Sequence, residues 1–263
     1  MRLSTVHLAV ALCVLLPGVR SAAQEPDWPP AARTVHFDIG SLPSRGAVDA
    51  SLDLRVLGGD ENLTYTSLGL SYALRDDLQA VVRAAFAGTK SRAVTSGVVR
   101  HGGNDVEIAL RFGRQSDRPW SLLAGVAFPD TPAQNEAMPT LAATVEAWRG
   151  ERGSAHLNLR TALVEDNEIV GLGIGGEARL TDRLALVGDY TFVATGDNTR
   201  SPVSGALRRR DVYGVALRFH TPDGRTTVDL GYANGAGLTT GFSLTPGLGG
   251  GEGGVYLAIR ATR

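Results

Sequence analysis

The chain has 263 residues, 43% of them hydrophobic and 20% charged, with a formal net charge of -1. Neither sign of charge is in excess, which argues against nucleic acid or an acidic lipid surface as a partner recruited by charge. The single cysteine, Cys13, excludes an intramolecular disulfide framework and cysteine-based metal sites.

Residues 1–23 read as a cleaved export signal. Arg2 supplies the basic start, Leu8 to Pro17 is an apolar run, and Ser21-Ala22-Ala23 offers small residues to a signal peptidase. Cys13 lies inside the apolar run behind Leu12, where a lipid-attachment signal would need a small residue. Cleavage after Ala23 removes Arg2 and Arg20 and no acidic group, taking the charge from -1 to -3. The expected mature chain begins at Gln24 without cysteine, which suits passage through an oxidising periplasm. Beyond the signal no apolar run approaches the ~18 residues of a membrane helix. Residues 24–33 (Q-E-P-D-W-P-P-A-A-R) then read as a flexible periplasmic lead-in.

From residue 34 to 263 apolar and polar residues alternate with the two-residue period of half-buried strands. Fourteen spans follow the pattern: 34–42, 46–57, 63–74, 78–88, 104–114, 119–128, 139–149, 153–164, 168–180, 183–195, 209–220, 226–234, 239–246 and 254–262. The first and thirteenth follow it least, so twelve strands is the alternative. Joins such as Arg75-Asp76-Asp77, Thr181-Asp182 and Thr221-Pro222-Asp223-Gly224 are tight. The alternate joins include long ones, Thr89–Gly103 and Gly196–Arg208, with Pro129–Met138 a milder case. Short turns at one end and long loops at the other mark a transmembrane up-and-down barrel with both termini in the periplasm.

One strand face carries Leu52, Leu54, Leu70, Val82, Ile108, Val126, Ile174, Val215 and Leu230, with Tyr72, Phe112, Phe128, Phe192 and Phe219 toward strand ends. That is a lipid face with aromatic girdles. The other face carries Asp49, Asp53, Arg55, Arg83, Asp105, Glu107, Arg111, Glu146, His156, Arg160, Glu177, Arg179, Asp189, Arg218, Asp229 and Arg260, the candidate lumen-lining set. A soluble barrel closes with about eight strands, and twelve to fourteen would enclose an apolar hole too wide to fill. The fold class is therefore all-β, a transmembrane antiparallel up-and-down β-barrel of 12–14 strands.

The hairpin G-L-G-I-G-G-E-A-R-L-T-D-R-L-A-L-V-G-D-Y-T-F-V-A over residues 171–194, echoed over residues 61–86 by L-S-Y-A-L-R-D-D-L-Q-A-V-V, resembles small porin-like barrels of bacterial outer membranes. The resemblance implies outer-membrane localisation, membrane lipid and small solutes as partners, and passive or substrate-guided passage of those solutes. The chain departs from such barrels by ending on Arg263 rather than an aromatic residue. The alternative reading is a closed-lumen structural or interaction barrel whose surface loops bind a partner.

Chemistry-bearing patterns point elsewhere only weakly. Gly171, Gly173 and Gly176 match a dinucleotide fingerprint, as do Gly249, Gly251 and Gly254, but a strand and turn follow the first where a helix is required. His156 with Ser154 and Asn158 invites a third reading, a lipid-modifying enzyme, although nothing in the spacing puts base and nucleophile in contact. His36, His101 and His220 lack ligand spacing. No cofactor, metal or catalytic residue is expected. Arg208, Arg209 and Arg210 form a basic run that offers contacts to lipopolysaccharide phosphates or simply keeps a loop in water. Fourteen strands would enclose a backbone cylinder of roughly 28 Å, leaving a channel unless a loop, Thr89–Gly103 or Gly196–Arg208, folds inward.

Overall fold

The computed structural model describes residues 33–57, 63–88, 104–115, 118–130, 137–164, 167–200, 204, 206–246 and 253–263. The expected signal, most of the lead-in, the Thr89–Gly103 join with His101, and most of the second glycine motif lie outside them. Nine antiparallel strands come first: β1 (Val48–Leu57), β2 (Leu63–Arg75), β3 (Leu78–Gly88), β4 (Asn104–Arg114), β5 (Trp120–Asp130), β6 (Met138–Gly150), β7 (Gly153–Val164), β8 (Asn167–Arg179) and β9 (Leu184–Thr195). A small pair, β10 (Thr199–Arg200) and β11 (Leu207–Arg208), interrupts the run. Then follow β12 (Val212–His220), β13 (Thr226–Ala233), a one-turn helix α1 (Thr240–Ser243) and β14 (Gly254–Thr262).

Twelve of these strands close into one barrel of up-and-down order, with β9 beside β12 and β14 against β1. The closing register runs from Asp49↔Thr262 to Leu57↔Gly254, and Val48 and Arg263 exchange backbone hydrogen bonds of 2.8 and 2.9 Å. The seam therefore pairs along the whole of β1. Two-residue turns at Asp76-Asp77 and Glu151-Arg152 lie at the end where β1 begins and β14 ends, the terminal end of the barrel. The longer connections, including 196–211 and 234–253, lie at the opposite, loop end.

Polarity is inverted relative to a water-soluble protein. On β1 Arg55 is 0% exposed while its neighbours Leu54 and Val56 are 38% and 39% exposed. Leu70, Ile108 and Ile174 are each 56% exposed at mid-wall. Exposed Tyr72, Phe112, Trp120, Trp148 and Phe219 ring the terminal end, and Phe86, Phe128, Phe192, Tyr213 and Tyr232 ring the loop end. An apolar belt between two aromatic girdles is the surface that hydrocarbon and its two interfaces select.

Two predicted strands are not in the wall. Residues 34–42 and 239–246 both lie inside the barrel, the first as an irregular hairpin and the second around α1. Both are surrounded by inward-facing side chains, so each has a reason to alternate without pairing into the sheet. With twelve strands the backbone cylinder is about 24 Å across, and inward side chains leave roughly 14 Å for these segments.

Candidate functional site: a lumen filled by two of the chain's own segments

The hairpin is pinned at its neck by a bridge between Arg33 and Asp38, with Thr34 N–H donating to the Phe37 carbonyl at 2.9 Å. Its tip, His36-Phe37, reaches mid-lumen. His36 N–H donates to Asp189 Oδ2 on β9 at 2.7 Å, its ring Nδ1 lies 2.6 Å from Oδ1, and the Thr34 hydroxyl adds a bond of 2.6 Å. Four wall guanidiniums grip the hairpin by its main chain. Arg55 on β1 donates to Val35 O at 3.2 Å, Arg218 on β12 to Arg33 O at 3.0 Å, and Arg160 on β7 to His36 O at 3.1 Å. Arg111 on β4 donates to Ile39 O and, at 3.1 Å, to Ser41 O.

Apolar seating is local and depends on missing side chains. Val35 packs with Val187, Ala216, Ala233, Tyr256 and Ala258. Phe37 lies in a trough over Gly173 and Gly175, where added Cβ atoms would come within 3.3 and 2.8 Å of its ring. Gly171, Gly173 and Gly175 of the G-L-G-I-G-G stretch are thus lumen-face clearances, Gly176 faces the other way against the β7 backbone, and a turn and strand follow where a pyrophosphate site needs a helix.

The second segment enters from the loop end. Thr239 caps α1 through its hydroxyl and donates to Asp105 at 2.5 Å, while Thr240 N–H donates to Glu107 at 3.1 Å. Leu244 packs among Ala127, Met138, Ala162, Ile169 and Val193, and Phe242 meets Tyr65 edge-on with ring centroids 6.3 Å apart. Of the two joins that could fold inward, Thr89–Gly103 lies outside the described residues, and Gly196–Arg208 carries β10 and β11, with Asn198 Nδ2 donating to Leu244 O at 2.7 Å. Among the described residues the loop 234–246 lies inward, and its 239–246 span is the one that sequence periodicity had assigned to a strand.

All of the candidate lumen residues project from the inner face. Asp53, Arg55, Arg83, Asp105, Glu107, Arg111, Glu146, His156, Arg160, Asp189, Arg218, Asp229 and Arg260 are buried, and Asp49, Glu177 and Arg179 are half-buried toward the terminal end. Many form ion pairs along the wall: Arg83–Glu107 at 3.3 Å and Arg218–Asp229 at 2.7 Å join neighbouring strands, and Arg218–Glu177 at 2.7 Å reaches from β12 past β9 to β8. Arg260 also reaches Asp229. The alternation identified this wall set but missed Arg33, Thr34, Asp38, Thr239 and Ser243, which fill the space within it. The available signal was polar side chains on a span bounded by Pro43 or Pro246, residues that suit a loop better than a sheet interior.

The hairpin lies outside the spanning strands, and its titrating groups feel the enclosure. Burial pushes the His36 imidazole down to about 4, against the pull of Asp189. Burial alone would raise the Asp38 carboxyl, but Arg33, then Arg83 and Arg111, hold it well below the usual carboxylate range. Ser154 Oγ lies 3.0 Å from His156 Nε2, closer than the sequence required. Among the described residues His156 Nδ1 has no hydrogen-bond partner, where a hydrolytic triad places its third group.

Where hairpin and α1 meet, the remaining void is about 10 Å³, room for one water at most. Beside the hairpin, a vestibule of about 940 Å³ opens at the terminal end, lined by Asp49, Gln79, Arg83, Arg111 and Arg260 among others.

Solved structures share this architecture. A NanC porin structure superposes with a TM-score of 0.54 at 11% identity, over 81% of this chain and 98% of that one. An outer-membrane channel from Pseudomonas putida F1 gives 0.53 at 12% identity, over 85% of this chain and 96% of that one. The chain has the fold of the outer-membrane porins and channels. No protein-family model and no curated protein sequence matches it.

Proposed function

We propose that the protein is a bacterial outer-membrane channel for small solutes whose lumen is shut at rest by the residue 33–42 hairpin and the residue 234–246 loop. The observation that carries this reading is the chemistry of the hairpin's seat. Guanidinium-to-carbonyl bonds and the Asp189 contacts hold it, and water or a polar solute can replace each of these one for one. The hairpin also buries Val35, Phe37, Ile39 and Leu42, contacts that water cannot replace, so its withdrawal carries an apolar cost that the solute must offset. The vestibule beside the hairpin gives displaced residues somewhere to go. In this reading both termini face the periplasm, the hairpin withdraws toward that side, and the loop remains as the constriction.

The fullness of the mid-lumen favours a second reading, a closed barrel that acts through its loops. A cross-link separates the two. Gly214 lies against Val35, with an added Cβ only 2.9 Å from that of Val35, and the mature chain has no cysteine of its own. Mature protein carrying Val35→Cys and Gly214→Cys, placed in a planar bilayer, should conduct intermittently when reduced and fall silent when oxidised. Silence in both states, together with silence of Asp189→Asn, would leave the closed barrel as the surviving reading.

A further inference from the structure

Two arginines of the inner wall differ from Arg55, Arg83, Arg218 and Arg260, each of which holds a wall carboxylate. Arg55 pairs with Asp53 at 3.0 Å, Arg83 with Glu107 at 3.3 Å, and Arg218 with Asp229 at 2.7 Å. Arg111 and Arg160 have no carboxylate within ion-pairing distance among the described residues. Arg111 donates to Ile39 O and Ser41 O of the hairpin, and to Gln79 and Ser121 of the wall. Arg160 donates to His36 O of the hairpin, to Ser243 O and Oγ at the end of α1, and to Thr191. Both guanidiniums border the same small void where the two segments meet. The acceptors on the filling segments are main-chain oxygens and one hydroxyl, neutral groups where a buried guanidinium would bind an anion more strongly.

We propose that Arg111 and Arg160 form an oxyanion-binding pair for a carboxylate or phosphate group of a passing solute, and that hairpin and loop oxygens occupy this site in the closed barrel. The inference rests on the channel reading. It gives the closed state a second meaning: the carbonyls of His36, Ile39 and Ser41 stand where solute oxygens would bind, so a sufficiently concentrated anion competes with the hairpin for its own seat. Arg55, Arg218 and Arg260 keep their wall carboxylates when the hairpin leaves and take no part, while Arg83 gives up Asp38 of the hairpin and keeps Glu107.

The test uses the full mature chain with Phe37→Ala, which weakens the hairpin's seat and leaves every wall charge in place. Reversal potentials in a potassium chloride gradient report selectivity, and added sodium acetate or sodium phosphate reports block of the chloride current. The expected result is preference for chloride and block by added oxyanion, with the block weakened about tenfold by Arg111→Gln or Arg160→Gln and largely kept by Arg160→Lys. Block by phosphate alone assigns phosphorylated solutes, and block by acetate as well assigns carboxylates. Steady current without oxyanion block, or block unchanged by both substitutions, overturns the pair and leaves the channel standing. Such a result would fit Asp189 turning to Arg160 once His36 leaves. Absence of current from this protein and from the reduced cross-link variant removes the channel reading, and the pair with it.

Discussion

His36 and Asp189 are separated by 153 positions in the chain, yet imidazole Nδ1 and carboxylate Oδ1 lie 2.6 Å apart in the middle of the barrel. One residue belongs to the hairpin and the other to the wall. The contact is therefore a measure of closure: it exists only while the hairpin is seated.

Replacing Asp189 by Asn keeps the shape and removes the charge that three hairpin donors share. Hydrogen bonds to a charged group are worth about 1.5–3 kcal/mol each, so even partial loss should raise the open fraction by about tenfold or more. Single-channel recording reads this directly. An open fraction equal to that of the unmodified protein would mean that the latch lies elsewhere.

Closure should weaken in acid. The seated His36 titrates near 4 and a released imidazole near 6.5, so the closed form binds fewer protons between these values. Closure is then at full strength above about pH 6.5 and is lost progressively as pH falls toward 4, by roughly 3 kcal/mol in all. The charges facing the ring are Asp189 on β9, Arg55 on β1 and Arg160 on β7. Recording between pH 7.5 and 4.5 should show opening on acidification, and His36→Gln should flatten the profile; a profile that stays steep in that variant assigns the proton to another group.

Phe37→Ala should loosen the hairpin without harming the barrel, because Phe37 lies in no strand and packs over Gly173 and Gly175. Truncating a buried phenylalanine costs about 3–5 kcal/mol. A single cysteine introduced by Val35→Cys should react with a water-soluble maleimide at least about tenfold faster in this background. Barrel folding should be retained, as judged by heat-modifiable mobility on a gel.

The outer face should tolerate charge least at mid-wall. Ile108 on β4 is 56% exposed on the lipid-facing side, and Ile108→Arg should destabilise the folded barrel in lipid vesicles by about 2–4 kcal/mol. Guanidinium unfolding measures the loss. Phe86→Arg, in the loop-end girdle, should cost about 0–1 kcal/mol on the same scale.

The wall was legible in the sequence because a two-residue period is a local property. Leu54, Arg55 and Val56 declare their faces by position alone, and the mismatch between an apolar face and so many strands already required lipid outside. The turns were legible for a similar reason, since Asp76-Asp77 and Thr221 to Gly224 carry their own turn chemistry.

What fills the wall was not legible. Residues 34–42 and 239–246 alternate as strands do, yet whether an alternating span joins the sheet or lies within it depends on partners far along the chain. His36 meets Asp189, Arg111 meets Ser41, and Arg160 meets Ser243 across separations of 153, 70 and 83 positions. The sequence by itself determined a transmembrane barrel, its greasy outside and its charged inside, because each follows from neighbours along a strand. Only the tertiary structure decided that the barrel has twelve strands, that two segments lie within it, and which arginines are held by carbonyls rather than carboxylates. Those outcomes depend on closing loops through space, and local periodicity carries no record of where such loops close.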